Sequence, residues 1–484
     1  MAIVTSIDLL KQRRTRIVAT VGPSSRTPST IRALIAAGVN VFRVNMSHGT
    51  HAEHAEVIAI IRAQSAAVGA HIGILADLCG PKIRTGRFER SPLRLVEGAD
   101  VVVTTREVVG NESLVPSQYA GLAQDVIPGS RILINDGAAE LEVLAKDGTE
   151  VHCRVRHGGT IGDKKGINLP GVKVSAPSLT EKDIADARFA LAQRVDFLAL
   201  SFVRTRADVV SLLRIVEEAD WHPAVIAKIE KPEALENVAE ILQVADGIMV
   251  ARGDLGVELP PEQVPLAQSQ LVMTARLYDK PVIVATQMLE SMISAARPTR
   301  AEVTDVSQAV ASGADAVMLS GETAAGEYPV EAVQTMDRIA RQTESYQFHT
   351  RPVRHGVHTG ALHGHLSAGD AVASAAAHLV TDTQARAVVV ISMNGITAMT
   401  IAAARPDAPM LVVCKDAAVC RRVGLLWGVF PVLDASVGKE NPNFVARRVA
   451  RDAGLASIGH HVVLVRGFHS ESAMNTPSIT LLTV

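Results

Sequence analysis

Aromatic residues are scarce in this chain of 484 residues, since Phe, Trp and Tyr together make up only 3% of it. Hydrophobic residues nevertheless account for 48% and charged residues for 20%, so Ala, Val, Leu and Ile must fill the core. This composition excludes a disordered chain, and the length excludes a small disulfide-stapled scaffold. A chain of this length predicts about three globular domains.

An excess of one charge is also missing. The 48 Lys and Arg residues nearly balance the 50 Asp and Glu residues, which leaves a formal net charge of -2. A general nucleic-acid-binding protein carries a strong basic excess. We therefore expect no nucleic-acid partner, and any site for an anion must be local.

Paired cysteines and long apolar runs are lacking too. The four cysteines show no Cys-x-x-Cys spacing, and free thiols predict a reducing compartment, the cytoplasm. The first residues place short apolar runs before a basic cluster, the reverse of a secretory signal. The longest uncharged stretch, 387–404, is interrupted by polar residues. It predicts a strand, a loop and a helix, so we expect no membrane association.

Short apolar runs alternate with amphipathic segments of helix length, a pattern typical of βαβ units. Eight such runs match a (β/α)₈ TIM barrel. They lie at residues 16–20, 41–45, 71–78, 196–202, 224–230, 247–252, 281–286 and 316–321. Two helix starts support this interpretation: Thr299 with Glu302 fits a capping box, and Pro232 suits a first helical turn.

The succession of strands and helices stops between about residues 81 and 177. There, apolar and polar residues alternate one by one, and two Asp-Gly pairs indicate tight hairpin turns. Near residues 343–370 the helical period fades into a His- and Gly-rich linker, after which βα alternation resumes. We therefore predict an α/β chain of three domains. They are a discontinuous barrel (1–80 and 178–346), an inserted β lid domain (81–177), and a C-terminal open α/β domain for regulation or oligomerisation (347–484).

Barrel enzymes gather reacting groups at the carboxyl ends of their strands. Lys228 and Glu230 are two residues apart in the fifth run and so point to the same face. Glu230 and Asp254 suit a hard cation such as Mg²⁺, and the absence of His and Cys there argues against zinc. A purely structural Lys228–Glu230 ion pair is the alternative. Gly253 allows backbone amides to approach an anionic substrate.

Eight linked segments of the chain closely resemble the pyruvate kinase family, over nearly the whole length. They are residues 15–23, 42–49, 77–86, 164–171, 226–230, 249–258, 285–292 and 318–328. The resemblance implies a glycolytic enzyme that transfers the phosphoryl group of phosphoenolpyruvate to ADP, giving pyruvate and ATP. It also implies a homotetramer.

The resemblance assigns a role to each residue of the site. Glu230 and Asp254 would hold Mg²⁺, with Mn²⁺ as a possible substitute, and Lys228 would stabilise the phosphoryl group in transfer. Arg43 would contact that phosphoryl group. The substrate carboxylate would meet Thr286 and the backbone of Gly253 and Asp254, and Ser320 would relay a proton. The residues implied for nucleotide binding are Asn45, Met46, Ser47, His48, Arg84 and Lys165.

One departure from the family pattern concerns potassium. Many members bind K⁺ with residues that match Asn45, Ser47 and Asp77, a threonine after that aspartate, and a glutamate where this chain has Lys82. Leu78 stands in place of the threonine. A fixed ammonium group at Lys82 can supply the charge that the ion otherwise brings, so we predict activity that does not require K⁺. The alternative is a Lys82 that simply faces solvent.

A second departure concerns regulation. The loop with Ser392, Asn394, Gly395 and Thr397 joins a strand to a helix, where free amides favour a phosphate. Family members activated by fructose 1,6-bisphosphate carry Lys or Arg where Ile396 stands, so an AMP or sugar-monophosphate effector, or no regulation at all, is expected instead. The preceding linker contains His349, His355, His358, His363 and His365, whose irregular spacing favours a solvated linker over a metal site.

Two other functions remain open at this point. A Mg²⁺-dependent aldolase or lyase of the phosphoenolpyruvate/pyruvate barrel type would also stabilise an enolate with a carboxylate-held metal. The inserted domain with Lys165 argues against it. A phosphometabolite sensor that uses only its C-terminal domain would have lost the lysine and carboxylate positions, and this chain retains them.

Overall fold

The computed structural model describes residues 13–350, 367–469 and 474–484. Eight parallel strands close into a barrel in which each strand pairs with its neighbours, and the first strand pairs with the eighth. The barrel strands, from first to eighth, are Arg16–Thr20, Val41–Asn45, Gly73–Asp77, Phe197–Val203, Ala224–Ile229, Gly247–Ala251, Val282–Ala285 and Ala316–Leu319. The predicted TIM barrel is confirmed.

Helices surround this barrel and pack their apolar faces on it. They are Pro28–Ala37, His51–Ala67, Glu181–Ala192, Arg206–Glu217, Pro232–Glu236, Val238–Leu242, Arg252–Glu258, Val264–Leu277, Arg300–Ser312, Gly321–Ala324 and Pro329–Thr350, with short 3₁₀ turns at Pro261–Gln263 and Glu290–Ile293. The predicted capping box is present, because the Thr299 hydroxyl accepts from the Glu302 amide at 3.2 Å and the Glu302 carboxylate accepts from the Thr299 amide at 2.7 Å. Pro232 is the first residue of its helix, as predicted.

A β domain interrupts the barrel between its third and fourth strands. It contains a six-stranded sheet and a two-stranded sheet around its own apolar core. Its strands are Leu93–Arg94, Asp100–Thr104, Leu114–Pro116, Arg131–Ile134, Ala139–Asp147, Glu150–His157, Thr160–Ile161 and Ile167–Asn168, with one short helix at Leu122–Asp125. Both predicted Asp-Gly turns join antiparallel strands here, and Asn135, Asp136, Gly137 and Gly148 all have positive φ.

The C-terminal part is an open sheet with helices on both faces. Its strands, in spatial order, are Val429–Leu433, Met410–Cys414, Ala387–Ile391, His461–Arg466 and Ser478–Thr483. The last of these pairs antiparallel and the others are parallel. Its helices are Ala368–Thr383, Ile396–Ala403, Ala417–Val423 and Pro442–Asp452. The uncharged stretch 387–404 is thus a strand, a loop and a helix, and no helix in the described ranges is both long and apolar enough to cross a membrane.

The predicted linker begins later than expected, because the helix Pro329–Thr350 continues past residue 343. Tertiary polar contacts hold this part of the helix: the buried Glu344 carboxylate accepts from the backbone amides of Arg14 at 2.8 Å and Thr15 at 2.6 Å. Polar contacts of this kind leave no trace in the spacing of apolar residues, so apolar periodicity does not predict this part of the helix. His349 lies in this helix, whereas His355, His358, His363 and His365 lie outside the described residues.

Candidate active site

Several of the polar residues that end the sequence runs lie just beyond the strands rather than in them. The sixth strand stops at Ala251, and Arg252 begins a helix that includes Gly253 and Asp254. The eighth strand stops at Leu319, and the helix Gly321–Ala324 follows Ser320. The sequence placed these residues at the strand ends, whereas the structure places them in the segments that directly follow the strands. They still face one mouth, since parallel strands bring their carboxyl ends together.

Lys228 lies at the centre of a buried charge cluster. Its ammonium nitrogen is 2.9 Å from Glu230 Oε1, 3.2 Å from Asp77 Oδ1 and 2.6 Å from Ser201 Oγ. Arg43 binds the other oxygen of Asp77, with Nε at 2.7 Å from Oδ2. The structure therefore brings together Arg43, Lys228 and Glu230 as predicted, and it adds Asp77 as the carboxylate that joins the two cations.

Burial and charge act in opposite directions on the pKa values of this cluster. Burial favours the neutral form of Lys228, but Asp77 and Glu230 outweigh it and raise the pKa of Lys228 above its ordinary value. Burial likewise opposes ionisation of Asp77, yet Lys228 and Arg43 lower the pKa of Asp77. Lys228 is thus held as a cation next to an ionised Asp77 at physiological pH.

Glu230 behaves differently. Burial raises the pKa of Glu230, and the negative charge of Asp254 raises it further, although Lys228 works against both. Its second oxygen, Oε2, accepts from the Phe202 amide at 2.7 Å. Two acidic side chains that repel each other at one mouth suit an added cation. Within the described ranges no three or more His, Cys, Asp and Glu side chains group as a metal site. Mg²⁺ needs only one or two carboxylates, with water and substrate oxygens completing its shell, so the donor set fits this ion.

Thr286 follows the seventh strand with a left-handed backbone, at φ 70°. Its hydroxyl accepts from the Gly253 amide at 2.7 Å and donates to the Ala285 carbonyl at 2.6 Å. The structure brings Thr286 and Gly253 together as predicted, but the Gly253 amide is occupied by the Thr286 hydroxyl. The Ser320 hydroxyl is buried and has no hydrogen-bond partner among the described residues. Its backbone amide donates to Glu322, which is itself buried.

The residues predicted for nucleotide binding form two groups. Asn45, Met46, Ser47 and His48 end and follow the second strand, where the Asn45 side chain accepts from the Ser47 amide at 3.2 Å. Arg84 and Lys165 lie on paired segments of the inserted domain, and Arg84 donates to the Lys164 carbonyl at 3.1 Å. Lys165 itself is exposed. Among the described residues, no hydrogen bond or ion pair joins the two groups.

Lys82 does not simply face solvent. Its ammonium nitrogen is 3.5 Å from Asp254 Oδ1, and its side chain is 31% exposed. Leu78 is buried, at 1% exposure. Lys82 therefore places a positive charge beside the proposed metal ligand Asp254, within the same mouth as Asp77.

The loop predicted to bind an effector lies in the C-terminal part of the chain, after the strand Ala387–Ile391. Gly395, at φ 98°, caps the helix Ile396–Ala403, and its amide donates to Ser392 Oγ at 3.1 Å. Asn394 and Thr397 line a cavity of about 570 Å³. Other residues of its lining are Lys439, Arg466 and His469.

Two partners of the site escaped the sequence reasoning. Ser201, whose hydroxyl accepts from Lys228, is the last polar residue of the fourth run, and the strand-end rule applied to that run finds it. The sequence assigns no role to Arg252, whereas the structure buries its side chain against Thr286. No sequence pattern signals that contact.

Comparisons with known proteins identify the family of this chain. The family model for the pyruvate kinase barrel domain matches residues 12–333, and the model for the pyruvate kinase alpha/beta domain matches residues 370–480. The chain belongs to the pyruvate kinase family. It is 43% identical to the pyruvate kinase of Geobacillus stearothermophilus over 94% of this chain and 78% of that protein. It is 42% identical to the enzyme of Agrobacterium vitis over 94% of both chains.

A solved pyruvate kinase structure from Cryptosporidium parvum superposes with a TM-score of 0.89 at 35% identity, covering 98% of each chain. Membership of the pyruvate kinase family makes this chain a phosphotransferase. Its substrates and products are phosphoenolpyruvate, ADP, ATP and pyruvate, and the family implies a divalent cation. The aldolase or lyase alternative has no support among these relatives.

Proposed function

We propose that this pyruvate kinase transfers the phosphoryl group with the Lys228 cluster, uses Mg²⁺, does not require K⁺ and acts in glycolysis. The observation that carries the proposal is the position of the Lys228 ammonium between Asp77 and Glu230, 3.2 Å and 2.9 Å away. Phosphoryl transfer needs positioning and charge neutralisation more than covalent chemistry. A cation held by two carboxylates at the barrel mouth supplies both.

Each side chain has one task in this mechanism. Arg43, which Asp77 orients, binds the phosphoryl group, and Lys228 stabilises the charge that develops on it during transfer. Thr286 holds the substrate carboxylate, and the enolate carbon takes its proton from a water near Thr286, relayed through Ser320. Glu230 and Asp254 would hold Mg²⁺, which supplies positive charge to the phosphoryl and enolate oxygens when bound.

The inserted domain, with the proposed limits 81 and 177, serves as a lid. Asn45 to His48 and the lid residues Arg84 and Lys165 would share the nucleotide phosphates. Because these two groups lie on different domains, a bound nucleotide draws them together and excludes water from the reacting atoms.

Lys82 supports the proposed independence from K⁺. Its ammonium group lies 3.5 Å from Asp254, so a fixed cation is already present in the mouth. Leu78 offers no oxygen where a threonine would stand in the K⁺-binding pattern. The chain thus supplies a positive charge in place of K⁺ and lacks one of the oxygen ligands that K⁺ would need.

Regulation and assembly complete the proposal. The cavity beside Asn394 and Thr397, with Lys439 and Arg466 in its lining, would take the phosphate of AMP or of a sugar monophosphate. We propose a homotetramer, as the family resemblance implies, in the cytoplasm. The four free cysteines agree with a reducing compartment.

The decisive experiment measures pyruvate formation from phosphoenolpyruvate, ADP and Mg²⁺, with and without K⁺. We expect full activity without K⁺, and a fall of about 10²- to 10³-fold in kcat for Lys228→Met, the loss typical of removing one preorganised charge partner. The exposed Lys415→Met is the matched control and should retain activity. Loss of activity without K⁺, or an active Lys228→Met variant, contradicts the proposal.

A further inference from the structure

The backbone of Thr286 has an unusual conformation. Thr286 and the next residue, Gln287, both lie in the left-handed region, with φ 70° and φ 53°. A β-branched residue avoids this region because its branched side chain crowds the backbone. Such a conformation persists only where the surrounding structure holds it.

Two consecutive residues hold Thr286 from both ends. The Gly253 amide donates to the Thr286 hydroxyl at 2.7 Å, and Arg252 Nη2 donates to the Thr286 carbonyl at 2.6 Å. Arg252 Nε also points to the Ala285 carbonyl, at 3.4 Å. The Thr286 hydroxyl then donates to that same Ala285 carbonyl at 2.6 Å. The guanidinium of Arg252 therefore fixes the backbone that carries the hydroxyl.

Arg252 is itself held from outside the mouth. Its side chain is 8% exposed, and Nη1 is 2.6 Å from Asp305 Oδ1 and 3.3 Å from Gln268 Oε1. Asp305 belongs to the helix Arg300–Ser312 on the outer layer of the barrel. The planar guanidinium can bind Asp305 with one nitrogen and the Thr286 carbonyl with another, a geometry that the single nitrogen of lysine does not reproduce.

We propose that Arg252, oriented by Asp305, is a positioning residue for the reaction, because it holds Thr286 in the backbone conformation that sets the position of the Thr286 hydroxyl. This inference rests on the proposed role of Thr286 toward the substrate carboxylate. Neither Arg252 nor Asp305 needs to touch the substrate. A small displacement of an oriented group is enough to slow an enzyme markedly.

The test compares Asp305→Asn and Arg252→Lys with a matched control, Asp337→Asn. Asp337 also ion-pairs with a buried arginine, Arg13, and the exposed fractions of the two aspartates are similar, 35% for Asp305 and 23% for Asp337. We expect Asp305→Asn and Arg252→Lys to lower kcat/KM for phosphoenolpyruvate about tenfold and to leave the KM for ADP within about twofold. Asp337→Asn should retain kcat/KM even though its thermal midpoint falls comparably.

A double-mutant cycle separates positioning from general loss of structure. In a Thr286→Ala background, Asp305→Asn should have little further effect, because the hydroxyl that it positions is gone. An undiminished tenfold loss in that background, or equal kcat/KM values for Asp305→Asn and Asp337→Asn, overturns the inference. A Thr286→Ala variant with the activity of the unmodified chain refutes instead the role proposed for Thr286.

Discussion

Asp279 gives the sharpest prediction about pH. It follows the helix Val264–Leu277 of the barrel, and its mostly buried carboxyl group meets Asp370 and Thr400, which lie on two helices of the C-terminal part. Burial, followed by repulsion from Asp370, raises the pKa of Asp279 to about 8 from its ordinary value of 3.8. The two carboxyl groups share a hydrogen bond, which requires a proton on one of them.

The direction of the effect on stability follows from proton binding. The unfolded chain releases the Asp279 proton near pH 4, whereas the folded chain keeps it until about pH 8. The stability that this proton confers is therefore complete below pH 4, declines through the window from 4 to 8, and is gone above it. The shift in pKa corresponds to at most about 6 kcal/mol. Because solvent screens a partly exposed group, we expect about 3 kcal/mol.

Asp279→Asn tests this reasoning, since an amide has the shape of the protonated carboxyl group at every pH. The free energy of unfolding in urea, followed by fluorescence of Trp221 and Trp427, should be similar for both chains at pH 4. By pH 8 the variant should be about 3 kcal/mol more stable. Asp382→Asn, an exposed position on the same helix as Asp370, is the control. A difference that does not change with pH refutes the assignment.

Three further variants test the roles proposed at the mouth. Lys82→Glu should make activity depend on K⁺, with a many-fold loss in K⁺-free and Na⁺-free buffer that added K⁺ restores; a variant indifferent to K⁺ rejects the charge-substitution argument. Lys182→Met removes a donor that lies 2.7 Å from the Met46 carbonyl of the predicted nucleotide-binding segment. The KM for ADP should therefore rise about fivefold, as expected for one lost hydrogen bond. An unchanged KM for ADP contradicts the role proposed for this segment. Lys165→Ala should raise the KM for ADP and lower turnover; if both stay unchanged, the lid contact is wrong.

Much of the site could be predicted because parallel strands share one end. Lys228 and Glu230 lie two residues apart on the fifth run, which places them on one face, and the structure joins them at 2.9 Å. The capping box at Thr299 was equally readable, since both partners lie within four residues. Interactions of this kind can be predicted from the sequence because both partners lie close together along the chain.

Contacts across the barrel could not be predicted in the same way. Asp77 joins Arg43 to Lys228 because barrel closure brings three separate strands together. Arg252 meets Asp305 although 53 positions separate them along the chain. The local sequence around each of these residues is the same whether or not its side chain meets that partner, so it does not reveal the contact.

The sequence by itself determined the strands, their order in the barrel and which acidic and basic residues end at the mouth, because apolar period and chain direction are local properties. Only the tertiary structure decided which charges touch, how the Thr286 backbone is held and where the Asp279 proton resides. Those outcomes depend on distances and burial that arise when residues far apart in the chain pack against each other.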